Sequence, residues 1–337
     1  MIAAPSLLPP TGVLEMTYTC NHRCEFCSCP WFGTQMVPDK EMDIAEWKEV
    51  ITEFAAAGVT HFSFTGGEAI MKEGLAELLQ FASEVPAQYC EEQNGKLVHY
   101  QKPPSLNLLS NGRALTEDWI ALCAKLKIHL SISLPGLIAF AGNTASNTNP
   151  ALLLHHFATA KRLGCTTTVG IAVTKRNLHE LYETIAAAML AGADTLLLNR
   201  FLPGGRGLQH PELELTPEEV TMVAEIAEKV LKKAGRYGHF GTEMPRCLIE
   251  PDKYHHVKIA TGCSAARNFF TVGPNGKLRV CNHSPVELLY WRDYHKLGSD
   301  PTWMSYIAEK NLPAPCSDCG YRSECAGGCR EAARVVL

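Results

Sequence analysis

Long apolar runs are missing from this 337-residue chain, and no stretch approaches the length of a membrane span, so no membrane partner is expected. A basic excess is missing as well. Lys and Arg total 31 against 35 Asp and Glu, for a net charge of −4, and nothing points to a nucleic-acid partner. The first residues, MIAAPSLLPP, have no basic region, and prolines interrupt their short apolar stretch. They do not read as a signal peptide. No Ser-His-Asp set and no His-Glu-x₂-His zinc motif is discernible. Pro203-Gly204-Gly205-Arg206-Gly207 has the composition of a phosphate loop but lacks the Lys-Ser/Thr ending, so it reads as a plain flexible loop.

Cysteine is the residue in excess. The chain has fourteen, with four at 20–29 and six at 263–329. Disulfide scaffolds are usually short, secreted and evenly laced with cysteine, whereas metal clusters bunch it. The expected setting is therefore a reducing cytoplasm, and the expected chemistry is metal or redox. The remaining composition, 46% hydrophobic and 20% charged, is ordinary for one large domain with a small one attached.

Read in order, Val13–Tyr18 is a first strand and the cysteine loop follows at once. Asp43 and Glu46 form a capping box for a helix with Trp47, Val50, Ile51 and Phe54 on one face, ended by Gly58. His61–Phe64 is a second strand and runs into Thr65-Gly66-Gly67-Glu68. The alternation continues with strands at 106–109, 128–132, 167–173 and 195–198, each followed by helical periodicity. Thr216-Pro217-Glu218-Glu219 opens one more helix. Six strand–helix units predict an α/β fold with a parallel sheet, curling through right-handed crossovers toward a barrel or an incomplete one. Residues 85–104 break the pattern. Asn94-Gly95 between two extended runs predicts a hairpin, on the face away from the chemistry. From about Gly262, Cys, Gly and Pro dominate, as in a small domain folded around metal.

Cys20, Cys24 and Cys27 present three thiolates from one loop. A four-iron cluster bound by three cysteines keeps one iron open for a chelating substrate. Structural zinc usually takes four ligands, here Cys29 or a distant residue. Spacing alone divides evenly between the two. Position favours iron–sulfur chemistry, because the triplet follows strand one and Gly66-Gly67-Glu68 follows strand two, at the ends where such folds place their active sites. Two glycines allow close backbone approach, and a glutamate can hold an ammonium.

Cys-x₃-Cys-x-Phe-Cys followed by Gly-Gly-Glu resembles the radical S-adenosylmethionine (SAM) superfamily. The resemblance implies a partial (β/α)₆ TIM-like barrel over residues 1–240. It implies a SAM-binding 4Fe–4S cluster on Cys20, Cys24 and Cys27, with Phe26 beside the adenine and Gly66, Gly67 and Glu68 at the methionyl amine. Ser110-Asn111-Gly112, Ser131 and Ser133 fall where the superfamily makes further SAM contacts. Arg200, at the end of strand six, is a candidate for a carboxylate of SAM or substrate, or for a barrel ion pair. Relatives often carry Ser-x-Asp-Gly after strand four. Here the run is Ser133-Leu134-Pro135-Gly136, so no acid transfers to that point. Cys29, next to the triplet, is a candidate near-site thiol that either donates hydrogen or packs.

The later cysteines, Cys263-x₁₂-Gly276-x₄-Cys281 and then Cys316-x₂-Cys319-x₅-Cys325-x₃-Cys329, resemble the SPASM extension of the same superfamily. That implies a small iron–sulfur domain over 241–337 with one or two auxiliary 4Fe–4S clusters. Cys263, Cys281 and Cys329 would serve the first, and Cys316, Cys319 and Cys325 the second. Relatives have a seventh cysteine that does not follow Cys329 here, so the second cluster's fourth position falls to another ligand, to an open iron, or to no cluster at all. Cys247 is either a fourth ligand, of the first cluster in the first instance, or a spare thiol. Enzymes with this extension mostly modify peptides, which implies a maturase of a ribosomal peptide performing a crosslink, an epimerisation or an oxidation. The barrel starts near Val13, so a separate leader-peptide recognition protein, or recognition by the barrel itself, is expected, together with a one-electron donor such as flavodoxin or ferredoxin. The runner-up, protein-residue oxidation of the anaerobic sulfatase-maturase type, is disfavoured by Asn282, where that type places aspartate. A non-catalytic iron–sulfur or zinc scaffold is the reading from another class, and it gives Gly66-Gly67-Glu68 no use.

Overall fold

The computed structural model describes residues 7–32, 40–308, 312, 314–325 and 327–336. Its centre is a run of parallel strands laid side by side in chain order: β1 (Thr11–Glu15), β2 (His61–Thr65), then β5 (Ser105–Ser110), β6 (His129–Ser133), β7 (Thr167–Val173) and β8 (Thr195–Arg200). Between them lie α1 (Ile44–Ala56), α2 (Leu75–Ala82), α3 (Glu117–Leu126), α4 (Phe140–Thr144), α5 (Pro150–Leu163) and α6 (Leu181–Ala191); α7 (Pro217–Ala234) follows β8. Parallel neighbours need a crossover, and helices returning the same way each time produce the α/β connectivity of a partial (β/α)₆ barrel.

The alternation along each strand explains the layering. Phe62, Phe64, Leu108, Leu130, Ile132, Val169, Ile171, Leu196 and Leu198 are fully buried beneath the helices. Several of the intervening residues are polar and bond across strands. Asn107 Nδ2 donates to Ser63 Oγ at 3.3 Å, Ser131 Oγ donates to Asn107 Oδ1 at 3.3 Å, and Thr168 and Thr195 pair at 2.7 Å. One face of the sheet is thus an apolar floor for the helices, and the other is a polar lining.

Local signals place the helices. Both expected capping boxes form, Asp43 with Glu46 and Thr216 with Glu219. The insertion is a hairpin of β3 (Ala87–Gln93) and β4 (Lys96–Lys102). Its turn residues, Asn94 at φ 54° and Gly95 at φ 75°, both occupy the left-handed region that a two-residue hairpin turn demands. Strand one ends at Glu15 rather than Tyr18. Strand six runs to Arg200, two residues past the expected end, because Asn199 and Arg200 pair with Ala172 and Val173.

Among the described residues, the tail does not form a sheet of its own. β9 (Tyr237–Phe240) and β10 (Val257–Lys258) extend the sheet beyond β8, while β11 (Phe269–Val272) joins β1 in parallel, with β12 (Leu278–Arg279) antiparallel outside it. Residues beyond 240 therefore grip both edges of the barrel. At the β1 edge, Arg279 forms an ion pair with Glu15, and both side chains are almost completely buried. Burial raises the Glu15 pKa despite the guanidinium beside it. A pair so costly to bury locks register rather than adding stability.

Removing one partner strands the other charge. Glu15→Ala is expected to cost about 3–5 kcal/mol in urea unfolding, whereas a Glu15→Met/Arg279→Met double variant regains most of that loss. A single variant as stable as the wild type would remove the ion pair from any role in joining tail to barrel.

Candidate active site

The site starts where β1 stops. Beyond Glu15 the chain stays against the end of β2: Met16 N donates to Thr65 O at 2.9 Å, Gly67 N to Thr17 O at 2.8 Å, and Glu68 N to Thr19 O at 2.8 Å. This contact has no room for side chains at the glycines. A Cβ on Gly67 would lie 2.2 Å from Thr19 O, and Gly66 has φ +134° with a Cβ position 2.8 Å from Thr17 O. Gly66-Gly67 is thus required to seat the three residues that lead into Cys20. Glu41 fastens the same segment from outside, accepting from Thr17 Oγ1 at 2.7 Å and Tyr18 N at 2.8 Å. Burial opposes the Glu41 charge, but Lys72 at 2.9 Å and these two donors outweigh it and hold its carboxyl below the ordinary value.

The cysteine loop itself is gripped from two sides. Arg23 N and Glu25 N donate to Thr144 O and Asn143 O at the end of α4. On the other side, the loop after β8 folds over it. Gly207 N donates to Cys27 O at 3.2 Å, Arg206 Nη1 donates to Cys24 O at 3.0 Å, and the Arg206 guanidinium lies 4.7 Å from the centre of the Phe32 ring. Gly205, at φ +50°, would put a Cβ 2.2 Å from Cys29 O. The glycine-rich run at 203–207 is therefore a clamp on the cysteine loop rather than a plain flexible loop.

The donor set suits an iron–sulfur cluster. Burial raises the pKa of Cys20 and Cys24, while the Cys29 thiol beside Cys27 lowers that group to about 7. Thiolates at Cys20 and Cys24 call for nearby positive charge, which bound iron supplies. Asn111 Nδ2, 3.7 Å from Cys20 Sγ, and His22 N, 3.5 Å away, point donors at that sulfur. Cys29 Sγ lies 3.6 Å from Gly66 O, its acceptor, so this thiol bridges the two motifs.

Glu68 is suited to a cationic ligand. It is 2% exposed; Oε2 accepts from Asn111 N at 2.7 Å, and Oε1 is buried with no donor of its own. Burial pushes its pKa up to about 7, against the Asn111 amide and Ser110 hydroxyl. An ammonium at Oε1 would satisfy both the orphaned oxygen and the displaced titration. Asn111 thus touches both Glu68 and Cys20. Phe26 is half-buried between the anchored Glu25 and Cys27. Ser131 is buried and already bonded to Asn107, whereas Ser133 is exposed at the end of β6. Arg200 is close enough to Cys329 and Glu214 for both to favour its charge, and its Nε is buried without a partner.

The tail cysteines fall into two groups. Gly262 bridges to Gly327 and Gly328, which brings Cys263 beside Cys329, and Cys281 lies within electrostatic range of Cys329. Cys316, Cys319 and Cys325 form the other group, and Cys247 follows Arg246, whose backbone N donates to Cys325 Sγ at 3.3 Å. Between the cysteine loop and the tail opens a cleft. Its walls include Ser28 and Pro30 of the loop, Leu202 and Leu208 after β8, and His283 and Glu331 of the tail. Burial lowers the His283 pKa to about 4, so the ring is neutral near pH 7.

The orphaned carboxylate yields a direct test. Glu68→Gln is expected to weaken SAM binding by about one to two decades, the worth of a charge-assisted hydrogen bond of roughly 1.5–3 kcal/mol. Because its pKa is raised, the stability that protonated Glu68 lends the folded apoprotein falls as pH rises from the ordinary carboxyl range and is lost once pH has passed through about 7. The variant should therefore melt no lower than the wild type at pH 8. Unchanged SAM affinity by equilibrium dialysis would reduce Glu68 to a structural group.

Comparison with known proteins agrees with this geometry. PqqA peptide cyclase of Rhodopseudomonas palustris is 25% identical over 347 residues, covering 96% of this chain and 82% of that protein. The enzyme of the same name from Bradyrhizobium diazoefficiens is 26% identical over 341 residues, with the same coverage. Among solved structures, Streptococcus suis SuiB bound to SAM superposes with a TM-score of 0.71 at 15% identity, over 96% of this chain and 73% of that one. anSMEcpe with bound SAM gives a TM-score of 0.70 at 15% identity, over 96% and 90%. The profile of the radical SAM superfamily matches residues 14–188, the span that carries the cysteine triplet, Gly66-Gly67-Glu68 and Asn111, and the chain belongs to that superfamily.

Proposed function

We propose that this protein is a radical SAM maturase of ribosomally made peptides, working at the cleft between the cysteine loop and the tail. The observation that carries the reading is the cleft's position: one wall is the loop of Cys20, Cys24 and Cys27, and the opposite wall is the cysteine-rich tail. Its mixed lining suits an apolar residue held by a few polar groups. The relatives named above are peptide cyclases, and SuiB has been solved with its precursor peptide SuiA, at a TM-score of 0.72 to this chain.

When bound, a reduced 4Fe–4S cluster would supply one electron to the sulfonium of SAM, whose S–C5′ bond would break to give methionine and a 5′-deoxyadenosyl radical able to abstract hydrogen. Cys20, Cys24 and Cys27 would hold the cluster, and Glu68 would take the methionyl ammonium. Asn111, Phe26, Ser131 and Ser133 are the remaining candidate SAM contacts. Arg206 and Gly205 keep the loop closed over the site. Residues 241–337 would act as the SPASM-like unit, with one auxiliary cluster on Cys263, Cys281 and Cys329 and another on Cys316, Cys319 and Cys325, accepting an electron from substrate. Arg200, facing Cys329, would tune the nearer cluster rather than bind SAM. The products of this class are crosslinks, epimers and oxidised residues. A flavodoxin or ferredoxin as electron donor, a separate leader-recognition protein and a cytoplasmic setting complete the proposal.

Two variants test it. Cys24→Ala should abolish 5′-deoxyadenosine formation and remove on the order of four irons per chain; production at the wild-type rate would overturn the assignment of the triplet. Leu208→Trp narrows the cleft without touching the cysteines. It should leave substrate-free SAM cleavage intact while slowing peptide modification by about a hundredfold, and undiminished modification would move the substrate elsewhere.

A further inference from the structure

Cys247 lies far in sequence from the last group of cysteines, yet the fold brings it to them. It sits in the turn Pro245–Leu248, closed by Leu248 N donating to Pro245 O at 2.9 Å. That turn is fastened to the tail at several points. Arg246 N donates to Cys325 Sγ at 3.3 Å, and Cys329 N donates to Glu243 O at 3.1 Å. Gly328 is packed so closely that a Cβ there would lie 2.7 Å from Pro245 Cδ. The Arg246 guanidinium lies 3.6 Å from Glu324 and 5.9 Å from the Tyr321 ring centre. The residue beside Cys247 thus already bonds one sulfur of the group.

From this placement we infer that Cys247 supplies the fourth thiolate of the metal centre formed by Cys316, Cys319 and Cys325. The inference rests on the reading that those three residues hold an auxiliary cluster. Three thiolates leave one iron of a four-iron cluster without a protein ligand, and a fourth, released of its proton to solvent, fills that position. The cluster at this site would then be an electron carrier closed to substrate, unlike the three-cysteine site on the loop after β1. It would also tie the segment after β9 to the tail through metal, so that loading the cluster organises both.

Thiol footprinting of the iron-loaded protein under anaerobic conditions tests this. N-ethylmaleimide should modify Cys90, exposed in the hairpin, while leaving Cys247 protected together with Cys316, Cys319 and Cys325. Stripping the iron should expose Cys247, which is otherwise solvent-accessible. Labelling of Cys247 alongside Cys90, with the other three protected, overturns the inference and leaves the auxiliary cluster standing. Labelling of all four overturns both. Protection of all four with stoichiometric zinc in place of iron would keep the four-thiolate site and remove the cluster. In Cys247→Ser, one auxiliary resonance in the electron paramagnetic spectrum should shift or vanish, and an unchanged spectrum rules Cys247 out as a ligand.

Discussion

The site depends on one tight backbone contact, between Gly66-Gly67 at the end of β2 and Thr17–Thr19 beyond the end of β1. Three hydrogen bonds run along it, and no side chain fits between the two segments. The contact decides where the chain leaves the sheet, and so where Cys20 begins. Because Glu68 is the next residue, the same contact also sets the distance from the carboxylate to the cysteine loop. The glycines are therefore explained by packing before any ligand is considered, and their use at a ligand site follows from what they hold in place.

The electrostatics point the same way. Half-buried Cys20 and Cys24 and buried Glu68 are groups whose charged forms are disfavoured by their surroundings. A protein built for stability alone would place apolar side chains there. Bound cationic partners reverse that cost: iron for the thiolates, an ammonium for the carboxylate. The Arg206 clamp, contributed by the loop after β8, joins the sixth barrel strand to the loop after the first, so the site is spanned from one side of the sheet to the other. The tail completes this arrangement by gripping both sheet edges, with the Glu15–Arg279 pair at one of them.

Much of this was legible in the sequence because it rests on local signals. The capping boxes at Asp43 and Thr216, the Asn94-Gly95 turn and the strand–helix alternation are short-range patterns whose physics acts within a few residues. The triplet and Gly66-Gly67-Glu68 were legible as chemistry through their positions after successive strands. What escaped depends on contacts between distant segments. Pro203–Gly207 looked like a generic glycine-rich loop, since nothing local states that Gly205 must pass over Cys29 O. Glu41 and Lys72 carry no motif, yet they anchor the entry to the cysteine loop. Cys247 was set first with Cys263, and nothing local states that the turn at Pro245 also brings its neighbour Arg246 onto Cys325 Sγ.

The central claim is that the loop after β1 holds a cluster with one iron free for SAM, beside Glu68. Electron paramagnetic resonance of the reduced, iron-loaded protein with and without SAM tests it most directly. The account predicts that SAM shifts the signal of one cluster, and that this shift is lost in a Cys20/Cys24/Cys27→Ala variant whose remaining signals are unmoved. A fully loaded wild-type protein whose spectrum is identical with and without SAM would contradict it.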